Sequence, residues 1–296
     1  MKTPAYLHKG DKIGIVASAR KISKEEVLPA IELLKQWGLE VVQGKHLFNE
    51  NNQFAGTDEE RAHDLQTMLD DATIKAIIIA RGGYGTVRII DKIDFNNFIK
   101  QPKWVIGYSD VTVLHSHIHT LGVETVHATM PINFFKSEAA TESLRKALFG
   151  EKLSYAVASS LLNRKGNTEG PLVGGNLSLI YALTGSLSEV DTRGKILFLE
   201  DLDEYLYHMD RMMMALKRAG KLSHLAGLVI GGMTDMKDNT VPFGKTAEEI
   251  IMDAVKEYNY PVCFNFPAGH VNENMAMFLG RNVSLNVKAD EVKLVF

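Results

Sequence analysis

Short apolar runs separated by helical periods organise the first half of the chain. Ile13-Gly14-Ile15-Val16-Ala17, Ala76–Ala80 (AIIIA), Trp104–Gly107 (WVIG) and Thr125–Ala128 (TVHA) each read as a buried strand. Between them, Ser23 with Glu26 and Thr57 with Glu60 form capping-box signatures. They predict helices from Ser23 to Trp37 and from Thr57 to about Leu69. A further helical stretch follows from Asp110 to Leu121. Strands that are apolar throughout and alternate with helices predict a parallel sheet covered on both faces.

From about Leu144 the pattern loosens, and the polar run Asn163-Arg164-Lys165-Gly166-Asn167 reads as a linker. Beyond it, Lys195–Leu199, Gly227–Ile230 and Val262–Phe266 read as strands, with two short ones near the C-terminus. Tyr205–Arg218 and Ala247–Tyr258 read as helices, the second opened by Thr246 and Glu249. The expected fold class is α/β in two domains, 1–165 and a smaller 166–296. No internal repeat or low-complexity tract interrupts them.

Composition narrows the function classes. A net charge of −3, from 33 basic and 36 acidic residues scattered along 296 positions, gives no electrostatic footprint for nucleic acid. No apolar run approaches the roughly 18 residues a membrane span needs, and Met1–Ala5 leads into charged sequence without a signal-peptide core. A cytoplasmic location without membrane partners is expected. The single cysteine, Cys263, lies in an apolar run and reads as a core thiol.

Four segments carry candidate chemistry. In Trp104–Thr112 (WVIGYSDVT) a buried strand ends at Gly107 and a helix begins just after Ser109. A sharp bend there would push the Ser109 hydroxyl outward, with backbone N–H groups behind it facing a developing oxyanion. Without such a bend, Ser109 is a helix N-cap. Ala80–Thr86 (ARGGYGT) also follows a strand, and its glycines let backbone N–H groups approach a negative charge. It is either a phosphate cradle or an oxyanion loop beside Ser109. It lacks the lysine ending of a P-loop and the dinucleotide fingerprint. Leu199–Glu204 (LEDLDE) places Glu200 at a strand end, where it could orient a histidine or form part of a solvated acidic turn. Pro267-Ala268-Gly269-His270 offers a loop histidine, either a surface residue or the base a serine nucleophile needs.

Other features point to packing. His115 and His119 share a helix face, but no H-E-x-x-H arrangement or nearby carboxylate supports a metal there, and no metal or cofactor is expected. The methionines from Met209 to Met214 suit core or interface packing.

Taken in order, ARGGYGT, GYSD, LEDLDE with Asp210-Arg211, and PAGH resemble the LD-carboxypeptidase family of serine peptidases, which includes the microcin-immunity peptidases. Gly10–Ala17 (GDKIGIVA) and Leu172–Leu177 (LVGGNL) add to the resemblance, which spans nearly the whole chain. It implies a nucleophile at Ser109, a glutamate at Glu200 and a base at His270, meeting at a domain interface. With that triad, the oxyanion donors expected are the backbone N–H groups of Asp110 and of Gly82 or Gly83. The resemblance also implies a homodimer acting on a small peptide, usually a murein tetrapeptide that loses its terminal D-alanine during cell-wall recycling. Arg81 is the first candidate to read the free carboxylate, Arg211 the second, and either could be a structural ion pair. A peptidase acting on peptide–nucleotide antibiotics and a non-catalytic anion-binding α/β protein are the alternatives.

Overall fold

The computed structural model describes residues 1–296. Five strands come from the first half: β1 (Lys12–Val16), β2 (Glu40–Gln43), β3 (Ile74–Ile79), β4 (Trp104–Gly107) and β5 (Thr125–His127). Eight follow: β6 (Ser154–Ala158), β7 (Gly166–Asn176), β8 (Ile196–Leu202), β9 (Gly227–Thr234), β10 (Val262–Cys263), β11 (Met277–Leu279), β12 (Asn282–Val287) and β13 (Glu291–Val295). They form two sheets, a six-stranded one in the order β11-β5-β4-β3-β1-β2 and a seven-stranded one in the order β10-β9-β8-β7-β12-β13-β6. In the first sheet only β11 runs antiparallel to its neighbour. The second is parallel from β10 to β7 and antiparallel from β7 to β6. The α/β class and the two-domain arrangement are those expected.

The helices cover the sheets because their apolar stripes have nowhere else to go. Helix α1 (Lys24–Gln36) and α2 (Asp58–Asp70) each start from the capping box read in the sequence, at Ser23 and Thr57. The short α3 (Asn96–Lys100), α4 (Thr112–Thr120) and α5 (Glu138–Leu148) complete the first layer pair. Ile13, Ile15, Ile78, Trp104 and Ile106 pack into one core with Ala30, Leu34 and Leu144. Alternate residues of the same strands, Ile77, Ile79 and Val105, pack with Leu65, Phe98 and Leu114 on the other face. Helices α6 (Leu177–Ala182), α7 (Leu206–Arg218) and α8 (Ala247–Val255) line one face of the second sheet. Met209, Met212 and Met213 are fully buried there, while Met214 faces solvent. Cys263 is buried, and burial pushes its thiol up to about 12.

Three segments differ from their sequence reading. The polar stretch read as a linker is partly strand: β7 starts at Gly166, and its residues alternate between covered and exposed up to Gly170. That period of two is the signature of a one-sided strand, and the glycine and asparagine content disguised it. The strand read over Val262–Phe266 pairs only at Val262 and Cys263. Phe264 then donates its N–H to the Asn163 side chain, and Phe266 donates to the Ile230 carbonyl. Finally, β6 lies before residue 165 yet pairs with β13 in the second sheet, and β11 crosses back to extend the first.

The strand order β2-β1-β3-β4-β5 reverses direction between β1 and β3, and in such sheets ligands occupy the crevice beyond the carboxyl ends at the reversal. The segments after β1, β3 and β4 therefore open at one edge. They carry Arg20, the glycine loop and Ser109.

Candidate active site

Ser109 lies at the tip of a sharp turn. Tyr108 is still extended, Ser109 has φ of 65°, and a 3₁₀ turn over Ser109–Val111 leads into α4. A left-handed serine costs roughly 1–2 kcal/mol, so packing must hold it there. His115, one turn into α4, donates from Nε2 to the Gly107 carbonyl at 2.9 Å and accepts at Nδ1 from the Thr125 hydroxyl at 2.8 Å. Burial lowers its pKa to about 4, which keeps it neutral and able to play both parts. Both of its nitrogens are used in bracing the turn. Ser109 caps no helix: the 3₁₀ turn begins from Tyr108, and α4 begins from Val111.

The other domain brings the partners. Glu200, in β8, is fully buried, and its Oε2 accepts both the N–H of His270 at 3.0 Å and the Nδ1–H of its imidazole at 2.6 Å. With Nδ1 protonated, Nε2 turns its lone pair to the Ser109 hydroxyl, 3.1 Å away. The neighbouring acids are otherwise engaged. Asp201 accepts from Asn176 Nδ2 and from the amide and hydroxyl of Ser178, and Glu204 pairs with His208. Burial opposes protonation of His270, but the charge and hydrogen bond of Glu200 outweigh it and raise the pKa above the ordinary 6.5.

Glycine is required at two close approaches in the site. A Cβ on Gly269 (φ 99°) would lie 2.5 Å from Glu200 Oε2, so only glycine lets the His270 loop close on the carboxylate. A Cβ on Gly82 would stand 2.9 Å from Ser109 Cβ and 3.1 Å from Oγ. The N–H groups of Gly82 and Gly83 donate to no protein acceptor, and Gly82 packs directly against the serine. Gly82→Ala is therefore expected to lower kcat by about 10²-fold, since displacement of about 1 Å at reacting atoms costs that much. A thermal melt within a few degrees of wild type would show that the loss is local.

The glycine loop is anchored by a motif residue, Asp110, and by Arg61, which belongs to no motif. Asp110 turns its carboxylate away from the substrate side and accepts the Thr86 N–H at 2.7 Å; burial raises its pKa. Arg61, buried on α2, donates to the carbonyls of Ser18 at 2.7 Å and Gly85 at 3.0 Å and pairs with Asp58. Behind His270, the fully buried His127 donates from Nε2 to Asn274 Oδ1 at 3.0 Å, and the same oxygen accepts the Gly269 N–H at 2.7 Å. Burial lowers the His127 pKa to about 3.

Ser109, Gly82, Gly83, Arg20, Arg81 and Lys136 line a cleft of about 360 Å³. Arg81 is partly engaged: Nη1 donates to the Lys21 carbonyl at 3.3 Å and lies 3.7 Å from Glu26. Arg211 stacks over Tyr207 on α7 and does not line the cleft. His46, His63 and Asp64 could hold a cation, their ligand atoms lying within 4.8 Å of one another, but none of them lines the cleft. Arg20, Lys136, His127 and Asn274 belong to none of the motifs read in the sequence: Arg20 follows β1, His127 ends β5, Lys136 follows β5 and Asn274 follows PAGH.

Models of the LD-carboxypeptidase N-terminal and C-terminal domains match residues 13–128 and 169–285 respectively. The chain belongs to the LD-carboxypeptidase family. Membership makes this LD-carboxypeptidase a hydrolase of the serine-peptidase type. It is 37% identical over 294 residues to the probable murein peptide carboxypeptidase of Bacillus subtilis (strain 168), covering 96% of this chain and 91% of that protein. The murein tetrapeptide carboxypeptidase of Pseudomonas aeruginosa is 26% identical, over 93% of this chain and 92% of its own. Among solved structures, muramoyltetrapeptide carboxypeptidase from Oxalobacter formigenes superposes with a TM-score of 0.88 at 26% identity, covering 96% of this chain and 98% of that one. The microcin C7 self-immunity protein MccF shares the fold at a TM-score of 0.87 and 21% identity, covering 99% of this chain and 98% of that one.

Proposed function

We propose that this LD-carboxypeptidase removes the terminal D-alanine from murein tetrapeptides, with Ser109 as nucleophile, His270 as general base and acid, and Glu200 as the group that orients and charges the imidazole. One observation carries the reading: the Ser109–His270–Glu200 relay, 3.1 Å and 2.6 Å long, opens on a cleft beside two unpartnered N–H groups. The full-length relatives named for murein peptides support the substrate class.

His270 Nε2 takes the proton from Ser109 Oγ as the oxygen attacks the carbonyl before the terminal residue. The oxyanion is received by the N–H groups of Gly82 or Gly83 and of Asp110, which strengthen their bonds as charge develops. The imidazolium is stabilised by Glu200 and returns its proton to the leaving amine. A water, deprotonated in the same way, then releases the acyl group and restores the serine.

The homodimer implied by the family resemblance and the cytoplasmic location expected from the sequence belong to the same reading, and sedimentation of the purified chain tests the first. No helix is long and apolar enough to cross a membrane.

The deciding experiment compares turnover of an L,D-tetrapeptide, its all-L isomer and an aminoacyl-sulfamoyl nucleoside, with a serine-directed phosphonate as active-site label. Rapid release of D-alanine from the first alone, with label on Ser109, is expected. Preference for the nucleoside would move the enzyme to the antibiotic-cleaving class, and absence of labelling would favour a binding protein.

A further inference from the structure

A second, smaller chamber opens from the cleft on the side of His270. It encloses about 170 Å³, and its wall includes Thr129, Asn133, Lys136, Thr234, Asn272 and His270, with Asp235 the one acidic side chain. The two spaces share Tyr108, Asn133, Lys136, Leu202 and His270, so they adjoin. Ser109 and the glycine loop border only the larger one.

The direction of the chemistry distinguishes the two spaces. The imidazole that deprotonates Ser109 must later protonate the leaving nitrogen, so that nitrogen passes within hydrogen-bond reach of Nε2. The oxyanion points the other way, to the glycine loop. The residue leaving with the amine therefore lies towards the His270 chamber, and the acyl portion of the peptide occupies the larger cleft towards Arg20 and Arg81. A chamber of this size, with polar side chains along much of its wall, suits one small amino acid.

A carboxypeptidase must find a free carboxylate on that departing residue. Three cations border the joined spaces. Arg20 and Arg81 border only the acyl side, and Arg81 already leans on Lys21 and Glu26. Lys136 ends the 3₁₀ turn Pro131–Lys136, forms no ion pair, and alone among the three borders both spaces. Its charge also reaches His270, where it opposes protonation of the imidazole.

We infer that the chamber beside His270 is the leaving-group subsite, and that Lys136 reads the free carboxylate of the amino acid released. The inference rests on the carboxypeptidase reading above. It makes exopeptidase specificity a matter of one ammonium group and a small chamber, with Asn272 in the same wall.

The test is turnover of an L,D-tetrapeptide and of its C-terminal amide by the full-length wild type, Lys136→Met, Lys136→Arg and Arg81→Met. Wild type is expected to prefer the free acid. Lys136→Met should lose roughly 30- to 100-fold in kcat/KM for the acid, mainly through KM, as expected for loss of one partner of an ion pair. Its turnover of the amide, read at a pH well above the His270 midpoint so that the lost Lys136 charge does not alter the protonation of the base, should fall far less than that of the acid, which also reports a working active site. Lys136→Arg should keep most of the preference, and Arg81→Met should keep all of it. A Lys136→Met enzyme that retains the wild-type preference, or an Arg81→Met enzyme that loses it, overturns the assignment and leaves the peptidase reading standing. A wild type that hydrolyses neither peptide overturns both.

Discussion

Replacing Ser109 with alanine is expected to lower kcat by about 10⁶-fold, the loss seen when the nucleophile of a comparable triad is removed. That corresponds to about 8 kcal/mol of transition-state stabilisation, far more than any binding contact in the cleft contributes. The size follows from the arrangement. Oγ is the only nucleophile within hydrogen-bond reach of Nε2, and without it His270 and the glycine loop have nothing to activate. Folding should barely notice, because the hydroxyl makes no hydrogen bond other than that to His270. Ser109→Gly separates the two effects further. Glycine accepts φ of 65° without the penalty of a side chain, so this variant should be as inactive as the alanine form and at least as stable. Steady-state D-alanine release, read beside thermal unfolding of the three proteins, checks both halves. Residual activity above about 1% in either variant would mean that a different group attacks.

Much of this site could be read in the sequence because its parts sit where a buried strand meets a turn. The end of β4 at Gly107, the glycines after β3 and the acids ending β8 each change abruptly from apolar to polar, and the physics of close approach limits what can stand there. All three capping boxes read from the chain open helices in the structure. What escaped was non-local. The strand β11 joins the first sheet from residue 277 onward, a pairing with β5 that no local pattern encodes. The 3₁₀ turn that presents Asn133 and Lys136 is too short to show periodicity. His127 and Asn274 lie 147 residues apart, and their hydrogen bond exists only because the two domains close on each other. Which of Glu200, Asp201 and Glu204 faces the histidine is beyond the local sequence for a similar reason. All three are acids at a strand end, and only the partners opposite them differ.

Exchanging Glu200 for glutamine should separate orientation from charge, with an expected fall of about 10⁴-fold in kcat, as when the acid of another triad is made an amide. Glutamine fills the same space and still contacts the His270 loop, so the fold should persist. It can, however, present an N–H to Nδ1, which places the proton on Nε2 and leaves no lone pair for Ser109. The pH profile adds an independent readout. His270 acts as a base only when neutral. Its pKa is raised above 6.5 because the charge and hydrogen bond of Glu200 outweigh burial. In wild type, kcat/KM should therefore fall as the pH drops through a midpoint above 6.5. Removing the carboxylate charge leaves burial dominant, and burial disfavours the imidazolium. The midpoint of the residual activity in Glu200→Gln should therefore move to lower pH. An unchanged midpoint would show that the acid limb belongs to another group, and a midpoint moved upward would contradict the assignment of Glu200 as the partner that charges the imidazole.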